Sequence, residues 1–234
     1  MALVGIDQAY PKDIVTPYGK PSVVGGYVAG RSAVNIWTAD EVKAFAKDGV
    51  KYFAPIIVPP QTFPWPHTVD VVLRDLAAAA RDWGLPPRSP LWLDIEKQST
   101  EAQFGKNIGA LIGYHQSVCN EFDFFPGVYG SSNIMSRIPL HVGRWLGEYP
   151  YPSLPKNLPT LPFGLNGWQF WGSWNNVADL DVWSEKTPFV DIAKWESTIP
   201  KPVPPSPVEE KIDVTLRFGA ELFTGTVTKQ RSPK

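Results

Sequence analysis

Leu91-Trp92-Leu93-Asp94-Ile95-Glu96-Lys97 reads as an apolar strand that ends in two carboxylates. Side chains alternate between the faces of a strand, so Trp92, Asp94 and Glu96 share one face and Leu93 and Ile95 take the other. Acidic residues are poor strand formers and costly to bury, so packing alone gives little reason for a D-x-E at this place. The plainer alternative is a strand that runs out into a polar loop. In a barrel of parallel strands, the C-terminal strand ends carry the active site.

Working outward, short β-rich runs alternate with helical stretches across the first two hundred residues, the pattern of βα units around a sheet. Strands are predicted at Ala2 to Asp7, Val23 to Ala29, Lys51 to Val58, Leu91 to Glu96, Phe125 to Gly130, Val142 to Gly147 and Gly167 to Trp171, with a short one near Val177 to Val182. Tyr52-Phe53-Ala54-Pro55-Ile56-Ile57-Val58 is almost continuously apolar, as a strand covered on both faces must be. Thr38-Ala39-Asp40-Glu41 is a capping box that opens a helix running to Gly49. Val69 to Trp83 has helical spacing and stops at Gly84, and a third helix is read from Ser99 to Asn120. About eight strands without a glycine-rich dinucleotide fingerprint predict an α/β fold, a TIM-like (β/α)-barrel over residues 1–199, in preference to an open doubly wound sheet.

Pro200-Lys201-Pro202-Val203-Pro204-Pro205-Ser206-Pro207 predicts a stiff extended linker at 200–207. Residues 208–234 follow as a C-terminal hairpin or attachment tail, Lys211 to Phe218 pairing with Glu221 to Lys229. A hairpin of this size is marginal alone and is expected to dock on the barrel or on another chain.

Composition narrows the functional classes. The 234 residues are 43% hydrophobic and 19% charged, as in a folded globular chain. Lys plus Arg number 22 against 23 Asp plus Glu, which removes the electrostatic case for a nucleic-acid or membrane-surface partner. No stretch approaches the roughly 18 apolar residues of a membrane span, and the first residues lack the pattern of a secretory signal. Cys119, the single cysteine, is read as an inert buried thiol, and the scattered His67, His115 and His141 as ordinary surface or helix histidines; no metal site or cofactor is called for. The 10 Trp suit either core packing or stacking on sugar rings.

Other strand ends repeat the acidic pattern. Asp7 ends Leu3-Val4-Gly5-Ile6, and Asp179 and Asp181 share a face if Val177 to Trp183 is extended. Tyr129, Glu148, Gln169 and Trp171 are expected on the same rim, where Gln and Trp suit an amide-bearing sugar. Carboxyl groups in different environments can divide the work of general acid and ionised stabiliser.

Taken in order, Gly5-Ile6-Asp7, Trp92-Leu93-Asp94-Ile95-Glu96, Gly127-Val128-Tyr129, Arg144-Trp145-Leu146-Gly147-Glu148-Tyr149, Trp168-Gln169-Phe170 and Ala178-Asp179-Leu180-Asp181 resemble glycoside hydrolase family 25, the Chalaropsis-type lysozymes common among phage endolysins. Val24-Gly25-Gly26-Tyr27-Val28-Ala29-Gly30 and Trp37-Thr38-Ala39-Asp40-Glu41-Val42 look more like a related glycoside-hydrolase-like domain of actinobacterial proteins. The resemblance implies a retaining N-acetylmuramidase acting on bacterial cell-wall glycan. In it Glu96 is the general acid, and the substrate's own acetamido group attacks the anomeric carbon, oriented by Asp94. Asp7 and Asp179 match the family's other cleft carboxylates, with Asp181 an alternative register, and Trp92, Tyr129, Glu148, Gln169 and Trp171 line the substrate site. Two departures stand out: Asp7-Gln8-Ala9 replaces the family's Asp-x-Ser, and no acid matches the end of the second strand near Gly30-Arg31. The alternative function is a non-catalytic glycan-binding or phage tail protein on the same barrel, joined to other phage structural proteins through 208–234. A place in the virion or at the bacterial cell wall accompanies both.

Overall fold

The computed structural model describes residues 2–7, 15–30, 36–59, 68–95, 107–174, 178–196, 209–218 and 221–230. Eight strands close into a barrel: β1 (Ala2–Asp7), β2 (Val23–Gly30), β3 (Tyr52–Val58), β4 (Pro90–Asp94), β5 (Phe125–Gly130), β6 (Gly143–Gly147), β7 (Gly167–Trp174) and β8 (Ala178–Ser184). β1 to β7 run parallel in sequence order, and pairing of β8 with both β7 and β1 completes the ring. A two-residue strand, β9 (Val190–Asp191), adds to β3 outside the ring.

The chain departs from a fully parallel barrel at β8, which is antiparallel to both neighbours. Only residues 175–177 separate β7 from β8. A parallel crossover needs a dozen or more residues, so the chain must turn straight back. The consequence is functional: β8 reaches the rim with its N-terminal end, so Asp179, at its start, lies level with Asp7, its register partner.

Helices α1 (Ala39–Lys47), α2 (Val69–Asp82) and α3 (Ile108–Glu121) follow β2, β3 and β4, and the short α4 (Ser132–Met135) and α5 (Ile192–Glu196) follow β5 and β9. The Thr38 hydroxyl accepts the Glu41 N–H while the Glu41 carboxylate accepts the Thr38 N–H, a complete capping box. Gly49 and Gly84, with φ of 90° and 100°, end the first two helices in a conformation that favours glycine. The third helix is described from Ile108; the part predicted at 99–106 lies outside the described residues, as does the linker at 200–207. Contacts divide the chain into residues 1–198 and 199–234. In the second unit, β10 (Glu209–Phe218) and β11 (Glu221–Gln230) pair antiparallel from Glu209↔Gln230 to Phe218↔Glu221.

Tryptophan forms two separate cores. Between barrel and helices, Phe53 stacks with Trp37, Trp83 and Trp195. Inside the barrel, Trp92, Trp145 and Trp183 are fully buried, with ring centroids 4.5 to 5.9 Å apart. Rings that large fit only because bare backbone faces them. A Cβ on Gly127 would lie 2.5 Å from Trp92, and one on Gly167 would lie 2.5 Å from Trp183. Gly167→Ala is therefore expected to destabilise the protein by about 1–3 kcal/mol through overpacking, read as a lower urea midpoint at unchanged slope.

Candidate active site

The interior tryptophans set which way each strand faces. Trp92 packs inside the barrel, so alternation turns Asp94 inward at the C-terminal end of β4 and leaves Leu91 and Leu93 to the outer layer. Asp7 ends β1 facing inward, its Cβ 3.5 Å from where a side chain on Gly25 would begin. Both carboxyls are almost fully buried, each 6% exposed. Asp179 is half-buried. Strands β1, β4 and β8 thus bring three carboxyls to one end of the barrel.

A hydrogen-bond chain fixes the last of these. The Tyr129 hydroxyl donates to Gln169 Oε1, and Gln169 Nε2 donates to Asp179 Oδ2. The amide oxygen of Gln169 thus faces Tyr129 and its NH2 faces Asp179. Tyr129 and Gln169 are each 1% exposed. Tyr129→Phe would leave a buried amide oxygen without its donor and should cost about 1–3 kcal/mol, measurable by chemical denaturation.

The other expected site residues occupy different places. Trp92 and Asp181 are wholly buried, lower in the barrel than the rim, and present no surface to a ligand. Asp181 Oδ1 accepts the indole N–H of Trp145 at 3.0 Å. Burial raises its pKa well above the usual carboxylate range, the Trp145 hydrogen bond opposes the rise, and the charge of Asp179 adds to it. Trp171, expected beside Gln169, is turned away from it. A register shift after Gln169 pairs Trp171 with Leu180, on the opposite face of β8 from Asp179 and Asp181. Glu148 stands exposed just past β6, with its backbone N–H donating to Gln169 O at 3.1 Å. Glu96 lies outside the described residues.

Trp145 went without a role in the sequence reading, although its signal was present. It lies two residues before Gly147 on the face that meets Tyr129, with ring centroids 4.6 Å apart. His115 was placed only as a helix histidine. It is buried, and its Nε2 lies 3.1 Å from Leu91 O and 3.0 Å from Gly127 O, tying α3 to β4 and β5. Cys119 lies beside it, buried, and desolvation pushes its thiol up. Among the described residues no group of three His, Cys, Asp or Glu side chains is placed to hold a metal ion. No described helix is long and apolar enough to cross a membrane.

A closed eight-stranded barrel with one reversed strand and flanking helices defines an irregular (β/α)-barrel fold, with inward carboxyls on one rim. Solved structures place it more narrowly, in the fold of the family 25 lysozymes. An uncharacterized B. stearothermophilus protein superposes with a TM-score of 0.59 at 19% identity, over 78% of this chain and 96% of its own. A Tat-secreted protein of Mycobacterium tuberculosis gives 0.57 at 14% identity, over 80% and 98%. A family GH25 lysozyme from Aspergillus fumigatus gives 0.51 at 15% identity, over 79% and 94%. No family model matches the sequence, and no curated protein matches it.

Proposed function

We propose that this protein is a glycoside hydrolase of bacterial cell-wall glycan, a retaining N-acetylmuramidase. The observation that carries the reading is the set of inward carboxyls Asp7, Asp94 and Asp179 at one end of a lysozyme-type barrel, one of them locked by the Tyr129–Gln169 chain. In the proposed reaction Glu96 gives its proton to the glycosidic oxygen as the bond to the anomeric carbon breaks. The acetamido oxygen of the same sugar forms a bond to that carbon, closing a cationic oxazolinium ring. Water then opens the ring from the same side and loses a proton to Glu96, so the configuration is retained. Asp94 orients the acetamido N–H, and the negative charge of Asp7 and Asp179 favours the cationic intermediate.

A second reading, glycan binding without turnover, draws on one observation. The inner face of β2 offers Val23, Gly25 and Tyr27 and no carboxyl, so the described acidic set is confined to β1, β4 and β8. Purified cell walls separate the two. The hydrolase reading expects a wall suspension to lose turbidity with catalytic amounts of protein; co-sedimentation with walls at constant turbidity would favour binding alone.

A further inference from the structure

Asp181 is a carboxyl in a place where a charge is poorly held. It is 0% exposed, Oδ1 accepts one hydrogen bond, from Trp145, and Oδ2 has no partner. The two other interior indoles, of Trp92 and Trp183, leave their own N–H groups unpaired, so neither solvates it. The surrounding strands bring no compensating charge. On β8 itself stands Asp179, two residues nearer the rim. On β1 are Gly5, the register partner of Asp181, and Asp7, that of Asp179. β7 presents Gln169 and β6 presents Trp145, while Tyr129 of β5 and Asp94 of β4 lie farther round the ring. Among the described inward-facing residues of the eight strands there is no Lys, Arg or His.

An ionised carboxylate in a dry interior needs several donors or a counter-charge; one indole N–H supplies neither. Of two carboxyls on one face of a strand, the more exposed one with an amide donor is the better place for charge. That one is Asp179, half-buried and bonded by Gln169 Nε2.

We propose that Asp181 is carried as a neutral carboxylic acid at neutral pH, and that by holding this proton it leaves the negative charge of the β8 pair on Asp179 at the rim. Asp181 is then a positioning residue, acting on the cleft through the charge it does not carry. The inference rests on the hydrolase reading only for what the Asp179 charge is used for. The proton itself is testable with no glycan present.

Infrared spectra of the full-length protein at pH 7, with aspartate labelled with 13C at the side-chain carboxyl, read that proton directly. A carboxylic-acid C=O band that moves with the label is expected in the wild type and in Asp179→Asn, and is expected to vanish in Asp181→Asn. A wild type without the band, or a band lost in Asp179→Asn and kept in Asp181→Asn, would overturn the proposal. Should Asp181→Asn fail to fold, Glu96→Gln, which lacks the other acid expected to hold a proton, takes its place. Unfolding that variant in guanidinium at pH 7.5 should release about one proton as the aspartate returns to its ordinary value of about 3.9, and no release would refute the proposal. Failure here would leave sugar release from walls untouched, and failure of sugar release would leave the band in place.

Discussion

Glu96→Gln is expected to lower the rate of glycosidic cleavage by on the order of a hundredfold or more, while binding of cell-wall fragments persists. Gln keeps the shape and hydrogen-bonding capacity of the side chain but has no proton to transfer. An acid in this role must be protonated near neutral pH, which partial burial and neighbouring negative charge promote. Asp94, two residues earlier in the sequence, is inward and almost fully buried. Initial rates on purified walls, with fragment binding measured in parallel, check the prediction. Equal rates in wild type and variant would remove Glu96 from the mechanism.

Acidification from pH 6.5 towards pH 4 is expected to cost the fold roughly 3 kcal/mol through His115 alone. Its Nε2 approaches two carbonyl oxygens, which can only accept, so Nε2 carries the hydrogen. Burial lowers its pKa from 6.5 to about 4, with the two backbone hydrogen bonds acting the other way. The folded state therefore binds its proton less readily than the unfolded chain does. The stability it confers is complete above the unfolded value and is lost as pH falls to the folded one. Asp181 has the opposite sign: its contribution is complete below the unfolded carboxyl value and is lost as pH rises through the raised folded one. Urea midpoints from pH 7.5 to pH 4 for wild type and His115→Gln isolate the histidine. Curves that stay parallel would contradict its assignment.

The alternation of Leu91 to Ile95 was enough to predict that Trp92 and Asp94 share a face, because a strand has no choice about its two-residue period. The capping box at Thr38 and the stops at Gly49 and Gly84 are equally local, and so were legible. The direction of β8 was legible in principle, since three residues cannot cross a barrel, but the predicted end of β7 at Trp171 hid how short the connection is. Trp171 was misplaced for a related reason. A bulge breaks the alternation, and it arises from pairing with β8, which no local pattern reports. The burial of Trp92, Trp145 and Trp183 depends on glycines in other strands that admit the rings: Gly127 for Trp92, Gly25 for Trp145, and Gly5 and Gly167 for Trp183. Only closure of the barrel brings those partners together.

Chemical identification of the sugar end produced from purified bacterial walls tests the central claim most directly. Digests are reduced with borohydride, hydrolysed to single sugars and separated. The account predicts that the wild type generates reduced N-acetylmuramic acid above the untreated control and that Glu96→Gln generates almost none. Wild-type protein that binds the walls yet creates no new reducing end between pH 4 and pH 8 would contradict it.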